Sequence, residues 1–261
     1  MLQGLFDASL RASSTRQAEL SRELLEERCA LVSKAPDAYG ALQPAEHIKL
    51  IAEIKRRSPS RGFLAEITDA KALGAGYESA GAHAISVLTE ESGFGGRLSD
   101  LQEVSHEVSI PTLRKDFISN EYQILEAKAA GASMVLLILA QLSKAEFQSL
   151  YDFSKSIGLE PLVETHSAEE IAIAADSGAR LIGINTRDLE TFKTDIGLFE
   201  HLAAKLPSGC VKIAESSVKQ LGDVKRYRNA GADCVLVGEA LVLKHIPETV
   251  IPQQDVKTGG Y

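Results

Sequence analysis

From residue 48 onward, short apolar runs alternate with amphipathic stretches. Eight runs rich in aliphatic and β-branched residues stand out: IKLIAEI, HAISVL, IPTL, SMVLLIL, LEPLVE, RLIGIN, CVKIAE and DCVLVG. Between most of them, apolar residues recur at helical spacing, as in SKAEFQSLYDFSKSIG and SVKQLGDVKRYRNAG. The near-continuous apolarity of SMVLLIL and DCVLVG suits parallel strands covered on both faces. Strand–helix alternation implies βαβ units, so the fold class is α/β. Eight strands point to a single (β/α)8 TIM barrel, with a doubly wound open sheet as the competing arrangement.

An internal repeat favours the barrel. A small-Gly-Ala signature closes a helix and opens a strand at Ala80-Gly81-Ala82, Ala130-Gly131-Ala132, Ser177-Gly178-Ala179 and Ala230-Gly231-Ala232. Glycine there supplies the left-handed residue after a helix. The spacing of roughly 50 residues is two βα units, and each copy precedes an even-numbered strand. Residues 1–46 stand outside this pattern and read as an N-terminal helical extension. It is expected to contain one amphipathic helix over Thr15–Ser33 and a Pro/Gly/Ala linker to Glu46. Such a helix either roofs the site or plugs the barrel bottom. The barrel domain is expected over 47–251, and the polar tail 252–261 is expected to be disordered.

In a barrel, chemistry gathers at the C-terminal strand ends. Here those positions are ionisable or polar. The first strand ends in Glu53 and Lys55, the third in Lys115 and the fifth in Glu164. The sixth leads into Asn185 and Arg187, the seventh into Glu215 and Ser216, and the eighth into Gly238. Glu53 and Lys55 are two apart, so they share a face about 6.6 to 7 Å apart along the strand. A lysine inside such a mouth loses hydration and gains carboxylate neighbours, which tunes it for acid work. Ala214-Glu215-Ser216-Ser217 and Val237-Gly238-Glu239-Ala240 read as small-residue turns that open helices, a setting for phosphate. Glu239 fits this poorly, and is expected to turn outward and cap its own helix.

Charge and cysteine usage narrow the partners. The formal net charge is -8, which argues against nucleic acid and acidic membranes as partners. Clustered cations are then aimed at a small anionic ligand. The three cysteines lack metal-ligand or disulfide spacing, and Cys210 and Cys234 lie in apolar runs, so both read as small buried hydrophobes. No signal-peptide pattern or membrane-length apolar run occurs, so a soluble cytoplasmic protein is expected. The oligomeric state is expected to be monomeric, with a weak dimer open. The six histidines are dispersed, and His166 reads as a polar residue at a helix start.

Taken in order, AEIKRRSPSRG, SVLTEE with Phe94-Gly95-Gly96, LRKDF, PLVE, GINTRDL, AES and LVGEAL resemble the indole-3-glycerol phosphate synthase family. The resemblance spans about residues 48 to 243. It implies ring closure, decarboxylation and dehydration of 1-(2-carboxyphenylamino)-1-deoxyribulose 5-phosphate in tryptophan biosynthesis. It implies catalytic roles for Glu53, Lys55, Lys115, Glu164, Asn185 and Ser216. Lys115 is the expected acid of ring closure, while either lysine suits dehydration. Substrate binding is implied for Ser58, Phe94, Phe117, Leu136, Arg187, Leu189, Glu215, Ser217, Gly238 and Glu239, the aromatic and leucine side chains forming apolar walls. No metal or organic cofactor is expected. Two positions depart from the family pattern: Ser217 replaces a usual glycine, and Arg97 a usual small polar residue. A phosphoribosylanthranilate isomerase-like barrel would need a Cys/Asp pair, and no cysteine stands at a C-terminal strand end. A non-catalytic barrel paralogue is the other alternative.

Overall fold

The computed structural model describes residues 2–188, 191 and 193–244. Leu189 and the tail 252–261 lie outside the described residues. In chain order the elements are α1 (Leu2–Glu19), α2 (Arg22–Leu31), α3 (Ala38–Leu42), β1 (Lys49–Ile54), β2 (Arg57–Ser58), β3 (Gly62–Phe63) and α4 (Ala70–Ser79). Then come β4 (Ala84–Leu88), α5 (Leu98–Glu107), β5 (Thr112–Lys115), α6 (Glu121–Ala129), β6 (Met134–Ile138) and α7 (Lys144–Ser156). The chain continues through β7 (Glu160–Thr165), α8 (Ala168–Asp176), β8 (Leu181–Asn185), α9 (Ile196–Leu202), β9 (Val211–Glu215), α10 (Leu221–Asn229), β10 (Cys234–Val237) and α11 (Glu239–Lys244).

Eight parallel strands close in the order β1-β10-β9-β8-β7-β6-β5-β4. Closure rests on the β1–β10 ladder, in which Lys49 pairs with Cys234 and Ala52 with Val237. That ladder excludes the open sheet. The eight apolar runs all became barrel strands. The third forms two residues later than its sequence pattern suggests, over Thr112–Lys115, because Pro111 has no N–H for a ladder. The strand ends at Lys115 as expected, two residues beyond the inward-facing Leu113.

Alternation divides the apolar residues into two layers. Ile51, Leu113, Met134, Leu162, Leu181, Val211 and Cys234 fill the barrel interior. Val87, Val135, Val163, Ile182 and Val235 face the helices with Phe147, Phe199 and Tyr227. All four repeat glycines have positive φ, between 72° and 96°, at the ends of their helices.

The N-terminal segment differs from expectation. Instead of one helix over Thr15–Ser33 there are two, broken where Ser21 caps α2 by accepting from the Leu24 amide. The expected linker contains a third short helix, capped by Asp37. Sequence periodicity was weak here because tertiary bonds order α1: Ser9 donates to Asp116, and Tyr122 donates to the carbonyls of Arg16 and Leu20. Both expected roles occur, on different helices. Leu5 of α1 lines the mouth cavity. Ala38 and Leu42 of α3 join the interior cluster, and Tyr39 donates to the Gly209 carbonyl just before β9, placing α3 under the barrel bottom.

Candidate active site

The strand ends converge on a cavity of about 620 Å³. On its floor, Lys115 Nζ donates to Glu164 Oε2 at 2.8 Å and to Glu215 Oε2 at 2.6 Å. Lys55 Nζ donates to Glu53 Oε1 at 2.6 Å, forming a second Lys–Glu pair. Asn185 Nδ2 donates to Glu164 Oε1 at 3.0 Å, and Ser216 Oγ donates to Asn185 Oδ1 at 2.9 Å. The Arg187 amide also donates to Asn185 Oδ1, fixing the orientation of that side-chain amide. All six candidate catalytic residues therefore line one cavity.

Strand register explains the convergence. Glu164 stands opposite Gly183, and Asn185 opposite Glu215. A Cβ on Gly183 would overlap Glu215 Oε1, and one on Gly238 would overlap Glu53 Oε1. Two glycines, Gly183 within β8 and Gly238 just after β10, thus make room for two carboxylates. Sequence reading missed the role of Gly183, although its place on the Leu181–Asn185 face could have suggested it.

Burial opposes charge on Lys115, but Glu164, Glu215 and Glu53 outweigh it and hold its pKa above the ordinary lysine value. The two carboxylates then diverge. Burial disfavours the Glu164 charge, yet Lys115, His166 and the Asn185 hydrogen bond bring its pKa down to about 2. For Glu215, burial reinforced by the Glu164 charge prevails over Lys115 and pushes the pKa up to about 7. Contacts account for the asymmetry: Glu164 accepts from Asn185, whereas Glu215 Oε1 has no hydrogen-bond partner among the described residues. One ammonium between two carboxylates leaves a proton that neutral pH can move.

One wall is apolar. Phe94 and Phe117 lie 6.3 Å apart with tilted rings, and Leu5, Leu136 and Ile138 extend the surface. The lining also includes the cations Arg61, Arg187, Lys193 and Lys219, with Ser217 and Gly238. This combination suits a ligand with an aromatic end and anionic groups. Among the described residues, no three His, Cys, Asp or Glu side chains are grouped to hold a metal ion.

Several sequence assignments need correction. Ser58 does not line the cavity; its hydroxyl accepts from the Arg61 amide and shapes the β2–β3 turn, which puts Ser60 and Arg61 on the wall instead. Glu239 does not turn outward to cap α11. It faces the cavity and pairs with Arg61 at 3.1 Å. Ser216 and Ser217 do not open a helix: both have positive φ, 68° and 62°, and α10 starts at Leu221. Arg97 is exposed, and Arg56 is tied to Asp100 and the Ile67 carbonyl as a structural residue. Phe94, Phe117, Leu136, Arg187, Glu215, Ser217 and Gly238 line the cavity as their sequence positions suggest, and Leu189 lies outside the described residues. Leu5 and Lys193 were missed, since neither stands at a strand end.

No helix among the described residues is long and apolar enough to cross a membrane. The barrel superposes on an N-acetylmannosamine-6-phosphate 2-epimerase from Clostridium perfringens with a TM-score of 0.59. That match covers 76% of this chain and 89% of the epimerase at 15% identity, a likeness of fold alone. Sequence relatives are much nearer. A protein named indole-3-glycerol phosphate synthase from Leifsonia xyli is 49% identical over 242 residues, covering 93% of each chain. One of the same name from Parafrankia is 46% identical over 259 residues, covering 99% of this chain and 96% of its own. A protein-family model described as "Indole-3-glycerol phosphate synthase" matches residues 8–251. With this coverage and this barrel mouth, the chain belongs to the indole-3-glycerol phosphate synthase family.

Proposed function

We propose that the chain converts 1-(2-carboxyphenylamino)-1-deoxyribulose 5-phosphate to indole-glycerol phosphate, carbon dioxide and water. The ring carbon bearing the carboxylate attacks the ribulose carbonyl, and Lys115 protonates the oxygen that develops negative charge. Loss of carbon dioxide restores the aromatic ring. A second acid then expels the hydroxyl as water, and a base removes a proton from the neighbouring ring carbon. Lys55 and Glu53 form a separate acid–base pair suited to this second stage. Glu164 and Glu215 steady the cationic intermediate and adjust the charge on Lys115. Asn185 and Ser216 orient the hydroxyls.

Counting protons for the carboxylate form of the substrate, two are delivered and one is removed. Each turnover therefore takes one proton from solvent. The observation that carries this reading is the pair of lysine–carboxylate clusters in a cavity that also has an apolar wall and further lining cations. Phe94 and Phe117 would hold the aromatic half, while Lys55, Arg61 and the backbone at Ser217 and Gly238 would meet the phosphate. Three free thiols suit a reducing cytoplasm. The test is turnover of the purified protein with this substrate. Indole fluorescence should rise with one proton consumed per product. A folded protein that binds the substrate yet forms no indole would overturn the proposal.

A further inference from the structure

The proton consumed in each turnover must reach a floor whose carboxylates are nearly sealed from water: Glu164 is 2% exposed and Glu215 1%. A substrate seated in the cavity would cover Glu164 from the mouth side, since Glu164 lines that cavity. Behind Glu164 the structure offers another path from solvent. His166, just past β7, places Nε2 3.5 Å from Glu164 Oε1 and Nδ1 3.5 Å from Glu170 Oε2. Neither ring nitrogen makes a hydrogen bond of good geometry among the described residues, although both are buried. Glu170, in the first turn of α8, has a side chain 20% exposed, so it touches water. His166 is not part of the cavity lining, so its orphaned nitrogens are not explained by substrate contact.

We propose that Glu170 and His166 form a proton-entry relay from solvent to Glu164, behind the substrate. This rests on the reaction proposed above, because only its proton deficit requires such a path. Glu170 takes a proton from water and passes it to Nδ1 of a ring protonated on Nε2. The resulting imidazolium gives its Nε2 proton to Glu164 Oε1 and is left neutral with its proton on Nδ1. The ring, whose side chain is 15% exposed, then regains the starting tautomer by taking a proton from water on Nε2 and releasing the Nδ1 proton to water, with no net gain or loss. One proton moves inward, and Glu170 and the imidazole end in their starting charge states. Glu164 is then neutral until it passes the proton to Lys115 or the substrate. The charged groups facing His166 are Glu164 on β7, Glu170 on α8 and, further off, Glu215 on β9. Burial works against the imidazolium, but these carboxylates outweigh it and raise the His166 pKa, so the charged relay state is accessible near neutral pH. A purely structural reading assigns Glu170 to capping α8, since it accepts from the His166 amide at 2.6 Å. That role leaves the imidazole unexplained.

The experiment is steady-state turnover in dilute buffer, with and without added imidazole, for the wild-type protein, His166→Ala, His166→Gln and Glu170→Gln. A shuttle that feeds the acid should matter less than the acid itself, so kcat should fall about tenfold in both His166 variants with KM little changed. Added imidazole should restore most of kcat in His166→Ala, where it has space, but not in His166→Gln, and should leave the wild-type rate alone. Glu170→Gln should show a smaller loss and a larger solvent isotope effect. Full kcat in both His166 variants at low buffer overturns the relay. So does a loss that imidazole never relieves, which would make His166 a packing residue. Should His166→Ala fail to fold, His166→Gln and Glu170→Gln decide alone, and normal buffer-independent rates in both overturn the relay. A wild-type control that forms no indole overturns the reaction and the relay together, which separates the two failures.

Discussion

Arg114 and Lys115 are neighbours on β5 that face opposite ways. Arg114 points outward and is fully buried. It donates to Thr89 Oγ1, the Gln123 carbonyl, Glu126 and Asp116. Arg16 of α1 pairs with the same Glu126, and Ser9 donates to the same Asp116. Two guanidinium groups face two buried carboxylates, so the buried network is balanced, and Arg16 also reaches the exposed Glu91. Lys115 points inward to one ammonium between two carboxylates, and one carboxylate oxygen lacks a partner. A balanced network of permanent charges fixes structure, here the docking of α1 over the mouth. An unbalanced one holds a proton that can move. Adjacent basic residues thus serve scaffold and chemistry, separated only by the pleat of the strand.

The contrast breaks most sharply at Lys115. Lys115→Ala should lower kcat by roughly 10³-fold, the scale of a lost general acid, while the thermal midpoint moves little because Glu164 and Glu215 can share a retained proton. A kcat near normal would sink the catalytic assignment. Arg114→Met should do the reverse. It strands Asp116 and Glu126 without their central cation, so denaturant titration should register a loss of about 3–5 kcal/mol. The kcat of the folded fraction should stay within a few-fold, with KM raised because α1 carries Leu5 of the apolar wall. If Arg114→Met instead abolishes kcat without destabilising the fold, the division between the two networks is wrong.

The sequence made the inward network legible and hid the outward one, for a physical reason. Glu53, Lys55, Lys115, Glu164, Asn185 and Glu215 stand at the ends of apolar strands, where a charge contradicts its surroundings. Arg114 and Asp116 flank Lys115 within the same motif, but their partners Arg16, Ser9 and Glu126 lie on helices, where charged residues are unremarked. The helical pairing of α1 with α6 has no periodic signature, so its boundaries were misplaced. Ser58 and Glu239 were misread because loop geometry depends on backbone angles that residue type does not determine. Eight strands were legible because buried parallel strands leave little choice of residue.

Glu215 sharpens the comparison through pH. Its folded pKa of about 7 lies above the ordinary 4.5, so the folded state binds more protons than the unfolded state between these values. The resulting stabilisation is present below pH 4.5 and is lost as pH rises through 7. Glu164, lowered to about 2, contributes with the opposite sign: its stabilisation is present above pH 4.5 and is lost as pH falls toward 2. Glu215→Gln removes the first effect, whose pH window lies above that of Glu164. The stability difference between wild type and Glu215→Gln should therefore shift against the wild type as pH rises from 4.5 to 7. A difference that stays flat across that window would mean that Glu215 is ionised throughout and that the site holds no movable proton there.

The same distinction between closed and open groups reaches single hydroxyls. Ser216 and Ser217 both hold left-handed backbone angles, yet their side chains differ in use. Ser216 Oγ reaches Asn185 on the cavity floor. Ser217 Oγ lies 2.6 Å from Thr186 Oγ1, which also contacts the Tyr227 hydroxyl, so Ser217 is absorbed into structure. A left-handed non-glycine residue costs about 1–2 kcal/mol. Ser217→Gly would relieve that cost but lose a hydrogen bond of about 1 kcal/mol and add chain entropy to the unfolded state. These contributions nearly cancel, so stability should change by less than about 1 kcal/mol. Ser217→Ala keeps the backbone cost and loses the hydrogen bond, so it should be less stable than wild type by about 1 kcal/mol. Both variants should keep kcat within about twofold, whereas Ser216→Ala should lower it by a larger factor. If Ser217→Ala matches the wild type in a denaturant titration, the Thr186 contact contributes nothing and the serine is a strained replacement with no compensation.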